Sequence, residues 1–115
     1  MQQLRRIYQE RWNATFSSHA LDALIMPTNA TEAQARNAVD DLIFLTRTGA
    51  TGLTNLWDET GFPVACTPAG PSPVGGLPVG MQIVGTAWTE PKLLQIGMDY
   101  QAHYRYWDLK PPAVA

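Results

Sequence analysis

Apolar residues recur over residues 2–17 at Leu4, Ile7, Tyr8, Trp12 and Phe16, with Arg5, Arg6, Gln9, Glu10 and Asn13 between them. That spacing follows the helical period and predicts an amphipathic helix with one apolar face. "SSHALD" breaks the pattern, and "ALIMPT" then reads as a short buried strand closed by Pro27. Its apolarity is continuous rather than alternating, which suits a strand covered on both faces. Thr31 with Gln34 has the form of a capping box and predicts a second helix of roughly a dozen residues, carrying Ala35, Ala38, Val39, Leu42, Ile43 and Leu45.

A third, short helix is expected within "TGLTNLWDETG", ended by Gly61 in a left-handed conformation. "PVACTPA" follows Pro63 as a second strand, "GPSPVGGLP" is turn chemistry throughout, and "VGMQIVG" forms a third strand. A last helix starts near "TEPK", with Thr89 as cap and Pro91 in the first turn, and runs through Leu93, Ile96, Gly97, Tyr100 and Tyr104. Residues 108–115 read as a frayed tail. Helix, strand, helices, strand, strand, helix describes an α/β layer arrangement: a small mixed sheet of about three strands flanked by helices. The last two strands can pair antiparallel across their connector. A sheet this small has open edges that need cover, so the 115 residues are expected to form one domain that is part of something larger.

Composition narrows the function classes. A net charge of -2, with Arg5-Arg6 and Arg105 as isolated basic spots, argues against nucleic acid as a partner. The longest apolar segments are shorter than about 18 residues, too short for a membrane span. The first dozen residues lack the apolar centre of a signal peptide, so a cytoplasmic location is expected. Cys66 is the single cysteine, which excludes an internal disulfide, and it reads as a small buried hydrophobe. His19 and His103 stand far apart and in no metal-ligand spacing, so no metal site is expected.

"GGLPVGMQIVG" does not work as a phosphate loop. No lysine and hydroxyl follow its last glycines, and an apolar strand takes the place of a helix start. A dinucleotide fingerprint is absent for the same reason. "FSSHALD" places Ser18, His19 and Asp22 close in sequence, yet triad members must converge in space, and a helix end with a turn is the expected reading. Ser72 lies between two prolines as a turn residue. Gln82 sits in an apolar run and must find hydrogen-bond partners if buried, either in a structural network or as part of a pocket wall. Thr54, Asn55 and Trp57 on the short helix combine an aromatic with hydrogen-bonding groups, the makings of a partly apolar pocket wall. Packing of Trp57 and Leu53 on the sheet is the other reading of that helix.

"LDALIMPT", "TGLTNLWDETGFPVACTPAG", "GGLPVGMQIVG" and "EPKLLQIGMDYQ", in this order, resemble the C-terminal part of the amidase signature family over about Leu21 to Tyr104. The resemblance implies a large α/β hydrolase that cleaves carboxamide C–N bonds with a nucleophilic serine, a bridging serine and a proton-relaying lysine, without a cofactor. It also implies a small amide as substrate. The family spans aliphatic, aryl and fatty amides and the glutamine of tRNA-linked amidation. The catalytic lysine and serines belong to segments upstream of everything matched, so the resemblance assigns no catalytic residue to this chain. The expectation is a C-terminal portion that supplies scaffold and the pocket candidates Thr54, Asn55, Trp57 and Gln82, inactive alone. Its expected partner is the missing N-terminal portion or another chain, with a homodimer left open. Two other readings are a non-catalytic module that takes a partner strand at its open edge, and a small complete enzyme built on Ser18 or Cys66.

Overall fold

The computed structural model describes residues 2–33 and 52–111. Helix α1 runs over Gln2–Ser18, strand β1 over Leu24–Pro27 and helix α2 over Gly52–Thr60. Strands β2 (Val64–Pro71) and β3 (Pro78–Val84), helix α3 (Glu90–His103) and a 3-10 turn (Tyr106–Asp108) complete the order. The helix expected after Thr31 falls on residues 34–51, outside the described residues.

The three strands form the expected α/β sheet in the order β1-β3-β2. Both pairings in it are antiparallel, Leu24 facing Val84 on one side and Val64 facing Val84 on the other. The stretch richest in glycine and apolar residues thus becomes the central strand. That position explains its composition: Gln82, Ile83 and Val84 are 2%, 0% and 0% exposed, so only their neighbours can satisfy or pack them. Its two flanks are outer strands, and here the sequence misled in two places. β1 is half-covered rather than buried on both faces, with Ile25 58% exposed, because it has one neighbour among the described strands. Cys66, expected in the core, is exposed on β2 for the same reason.

One side of the sheet is closed by aromatic packing. Trp57, Phe62 and Val84 form the buried cluster, with Trp12, Leu24, Met26, Leu56 and Val64 packed against it. Trp12 meets Trp57 edge-on at 5.1 Å, Phe16 meets Phe62 edge-on at 6.4 Å, and Trp57 stacks on Phe62 at 6.5 Å. These offset and edge contacts add to area burial because ring edges and faces carry opposite partial charge. Gln9 ties the same two helices by donating to the Thr60 carbonyl at 2.6 Å. α2 ends where the sequence predicted, with Gly61 at φ +70 and its N–H on the Trp57 carbonyl at 2.7 Å. The apolar stripe of α1 is used only at its C-terminal end. Phe16 is buried, whereas Leu4, Ile7 and Tyr8 are exposed.

α3 covers the other side. Leu93 is buried, and α3 passes over Ile83 at Gly97, where a Cβ would make ordinary contact with the Ile83 side chain at 3.7 Å. Pro91 occupies the first turn as expected. Thr89 does not cap with its side chain, because its hydroxyl donates to the Thr86 carbonyl at 2.7 Å instead. At the far end Tyr106 lies against Gly70, where φ is +101 and a Cβ would meet the ring at 2.9 Å. Tyr104 stacks on Tyr106 and Tyr100 lies against Tyr104.

Ile83→Ala should lower stability by about 2–5 kcal/mol in urea unfolding, since the residue is sealed between strand neighbours and α3 and its removal leaves a cavity. Desolvation, then the neighbouring Tyr106 and Tyr104, raises the Tyr100 pKa. The fold therefore favours its neutral phenol, a contribution present below the unfolded tyrosine's pKa and lost as pH rises through that of Tyr100. Alkaline phenolate titration should show one late-ionising tyrosine, absent in Tyr100→Phe.

Candidate functional site

A hollow among the described residues lies at the end of β1 and β3, over the side of the sheet that α3 leaves open. It is a groove of about 760 Å³. Its floor is apolar, from Ile25, Ala69, Val79 and Met81, and its rim carries Asn29, Thr31, Glu32, Ser72 and Val74. Three segments meet there. β1 exits through Thr28, whose N–H donates to the Gly80 carbonyl at 3.0 Å. The β2–β3 connector then arrives from the other side, and Glu32 joins the two by accepting the Gly75 N–H at 2.8 Å. Gly80 leaves room for this crossing. A Cβ there would come 3.0 Å from the Thr28 hydroxyl. Ser72 is a turn former, its hydroxyl accepting the Val74 N–H at 3.2 Å.

The chemistry of that lining suits holding an apolar group beside a single carboxylate; it has no nucleophile paired with a base. All three serines and both lysines of the chain lie among the described residues. Ser18 meets the Thr15 carbonyl at 3.2 Å and His19 Nδ1 at 3.0 Å, which is the pair the sequence made tempting. The same Nδ1 lies 3.1 Å from the Thr15 carbonyl. An imidazole nitrogen that donates to a carbonyl carries its proton there and has no lone pair left for a serine hydroxyl. Asp22 does not orient His19 either, because it pairs with Lys92 at 2.8 Å. That amine, first by its hydrogen bond and then by its charge, lowers the Asp22 pKa. Lys92 is thereby committed to an exposed ion pair. No group of three or more His, Cys, Asp or Glu residues that could hold a metal occurs among the described residues.

None of the four residues picked from the sequence lines this groove. Trp57 is 3% exposed inside the aromatic cluster, with its indole N–H on the Met26 sulfur at 3.3 Å. Gln82 is 2% exposed and donates from one amide nitrogen to the Pro27 carbonyl at 3.0 Å and the Leu53 carbonyl at 3.3 Å. Asn55 is exposed and Thr54 half-buried, both on α2. Gln82 and Trp57 do share one neighbourhood, where β1 and α2 come together over the central strand. The groove residues Glu32 and Val74 carried no signal of their own, since an acidic residue after a strand and a valine in a turn are common surface features.

Comparison with known proteins adds what geometry alone does not. The family model for Amidase matches residues 1–94. The chain belongs to the amidase family. Over 114 residues it is 32% identical to a glutamyl-tRNA(Gln) amidotransferase subunit of Synechococcus sp. (strain CC9605), covering 97% of this chain and 22% of that protein. An uncharacterized protein in the nthA 5' region of Rhodococcus erythropolis is 37% identical over 84 residues, 70% of this chain and 41% of its own length. Among solved structures, a peptide amidase bound to the competitive inhibitor chymostatin superposes with a TM-score of 0.67 at 29% identity, over 96% of this chain and 21% of that one. A chain of a vestigial complex bearing on the origins of an s-triazine catabolic enzyme superposes with a TM-score of 0.71 at 28% identity, over 90% and 23%. The chain thus spans about a fifth of the length of the amidotransferase and amidase chains it matches. No helix among the described residues is long and apolar enough to cross a membrane.

Gln82→Leu keeps the volume but strips the Pro27 and Leu53 carbonyls of their donor, and should cost about 2–3 kcal/mol in chemical unfolding. Gln82→Glu should be destabilised in a pH-dependent way. Burial raises the new carboxyl's pKa, so its protonated, donating form holds at low pH and stability falls as pH rises through that pKa.

Proposed function

We propose that this chain is the C-terminal portion of an amidase-signature hydrolase of carboxamide C–N bonds, and that it supplies sheet framework and cavity wall to a catalytic centre made by other residues. In that role Thr54 and Asn55 present the outward side of α2 to the substrate cavity, while Trp57 and Gln82 hold α2 to the sheet from beneath. The reactive hydroxyl and its proton relay come from the missing N-terminal part. Activation of a serine by a neighbouring base, with backbone donors for the oxyanion, is the chemistry that part would provide. The substrate is a small amide.

One observation carries the reading. Among the described residues six large hydrophobics are buried, whereas thirteen are exposed, Val74 by 93% and Trp88 by 90%. A self-sufficient domain of this size inverts that proportion, because burial of apolar surface is its main source of stability. The radius of gyration, 16.5 Å, points the same way, since a compact domain of this length has a value of roughly 13 Å. Membership of a family whose matched relatives are several times longer gives such a cut surface its natural cover.

Purified 115-residue chain should show no turnover of an aryl amide such as a p-nitroanilide, at any pH between neutral and mildly alkaline. Turnover that disappears in Ser18→Ala or Cys66→Ala would reject the proposal in favour of a complete small enzyme.

A further inference from the structure

Alternate residues of β3 face one side of the sheet, so Val79, Met81 and Ile83 share a face with their β1 neighbours Ile25 and Pro27. α3 passes over Ile83, which is 0% exposed. Met81 and Val79, further along the same face, are half-buried and floor the groove. Among the residues that line it Glu32 alone is charged, and none is aromatic.

Glu32 is held there by one of its two oxygens. Oε1 accepts the Gly75 N–H at 2.8 Å, and a Cβ on Gly75 would run into the carboxylate, so a glycine lets the connector close on it. The connector has its own closure without that bond, since Gly76 donates to the Ser72 carbonyl at 2.9 Å and Ser72 to that of Leu77 at 2.8 Å. Among the described residues nothing donates to Oε2, and no cation pairs with Glu32. The result is a half-buried carboxylate beside an apolar floor, with one oxygen open and no counter-charge. Partial desolvation strengthens the pull of such a group on a cation.

Complementarity selects the kind of cation. A divalent metal takes several oxygen ligands, and the groove has one carboxylate. A quaternary ammonium is held by aromatic faces, and the lining has none. A guanidinium forks onto both carboxylate oxygens, of which one is already committed to Gly75. A primary ammonium brings compact donors to a single oxygen, and its apolar arm can lie over Met81 and Val79. The groove, about 760 Å³, is of the size that takes a small molecule.

We propose that this groove is a recognition site for a protonated primary amine with an apolar arm, Glu32 Oε2 receiving the ammonium. As the place of the non-reacting end of an amide substrate it rests on the functional reading above; the binding itself does not.

The test titrates the 15N-labelled 115-residue chain with 4-phenylbutylamine and follows its amide resonances. Gly75, Gly80 and Met81 should shift together and saturate, with an affinity that falls as salt is raised. The neutral 4-phenylbutanol should bind at least about tenfold more weakly, the loss of one charge-assisted hydrogen bond, and 4-phenylbutyrate not at all. Glu32→Gln keeps an acceptor for the Gly75 N–H and removes the charge, so it should weaken amine binding about tenfold with the rest of the spectrum unchanged. Gly75→Ala keeps the charge and displaces the carboxylate, and should weaken binding as well. Equal binding of the alcohol, or undiminished amine binding in Glu32→Gln, overturns the proposal in favour of a merely apolar groove. Shifts centred on Asp58 and Glu59, which line the second hollow with Arg5, overturn it in favour of that surface. No saturable shift overturns it and leaves the functional reading intact. Amide turnover by the chain alone removes that reading and leaves the amine site standing.

Discussion

The side-chain amide of Gln82 holds together parts of the chain that have no other reason to meet. Its nitrogen donates to a carbonyl at the end of β1 and to another at the start of α2, 55 and 29 residues away in sequence. A primary amide has two N–H donors, and here both are used on backbone oxygens inside an otherwise apolar layer. Such an arrangement is stable only when both acceptors are in place, because each missing partner leaves a buried polar group unpaired. The central strand thereby fixes the position of the outer strand and of the helix above it. The aromatic cluster of Trp57 and Phe62 then packs on a frame that is already set.

From that joint the two sides of the molecule diverge. On one, α1 and α2 close over the sheet through edge-on rings and the Gln9 bond to Thr60. On the other, α3 covers β3 through Leu93 and β2 through the bond from Gln101 to the Thr67 hydroxyl, and leaves the flank beside β1 open. The groove is the consequence of that partial cover. Its lining holds shape and one carboxylate rather than reactive groups, and the carboxylate is itself engaged in clamping the β2–β3 connector. The chain belongs to the amidase family and spans about a fifth of the length of the amidotransferase relative it matches.

The elements of the fold were legible in the sequence wherever local rules act alone. Helical spacing marked α1, α2 and α3, Gly61 marked the end of α2, and prolines bounded the strands. The errors arose at positions whose outcome depends on neighbours distant in sequence. Continuous apolarity in "ALIMPT" looked like cover on both faces, yet the strand lies at the rim of the sheet. Cys66 looked buried and is exposed on the opposite rim. Thr89 looked like a cap, but a nearer carbonyl took its hydroxyl.

The sequence by itself determined the family, the order of helices and strands, and the identity of Gln82 as a buried amide needing partners. These follow from period, turn chemistry and motif order, all of which are local or cumulative along the chain. Only the tertiary structure decided which strand is central, which carbonyls Gln82 serves, and that Trp57 points inward while Asn55 does not. It also decided that Asp22 turns to Lys92 and leaves His19 without an orienting carboxylate. Those are matters of which surfaces face each other, and facing is set by packing between segments that the chain's own periodicity does not encode.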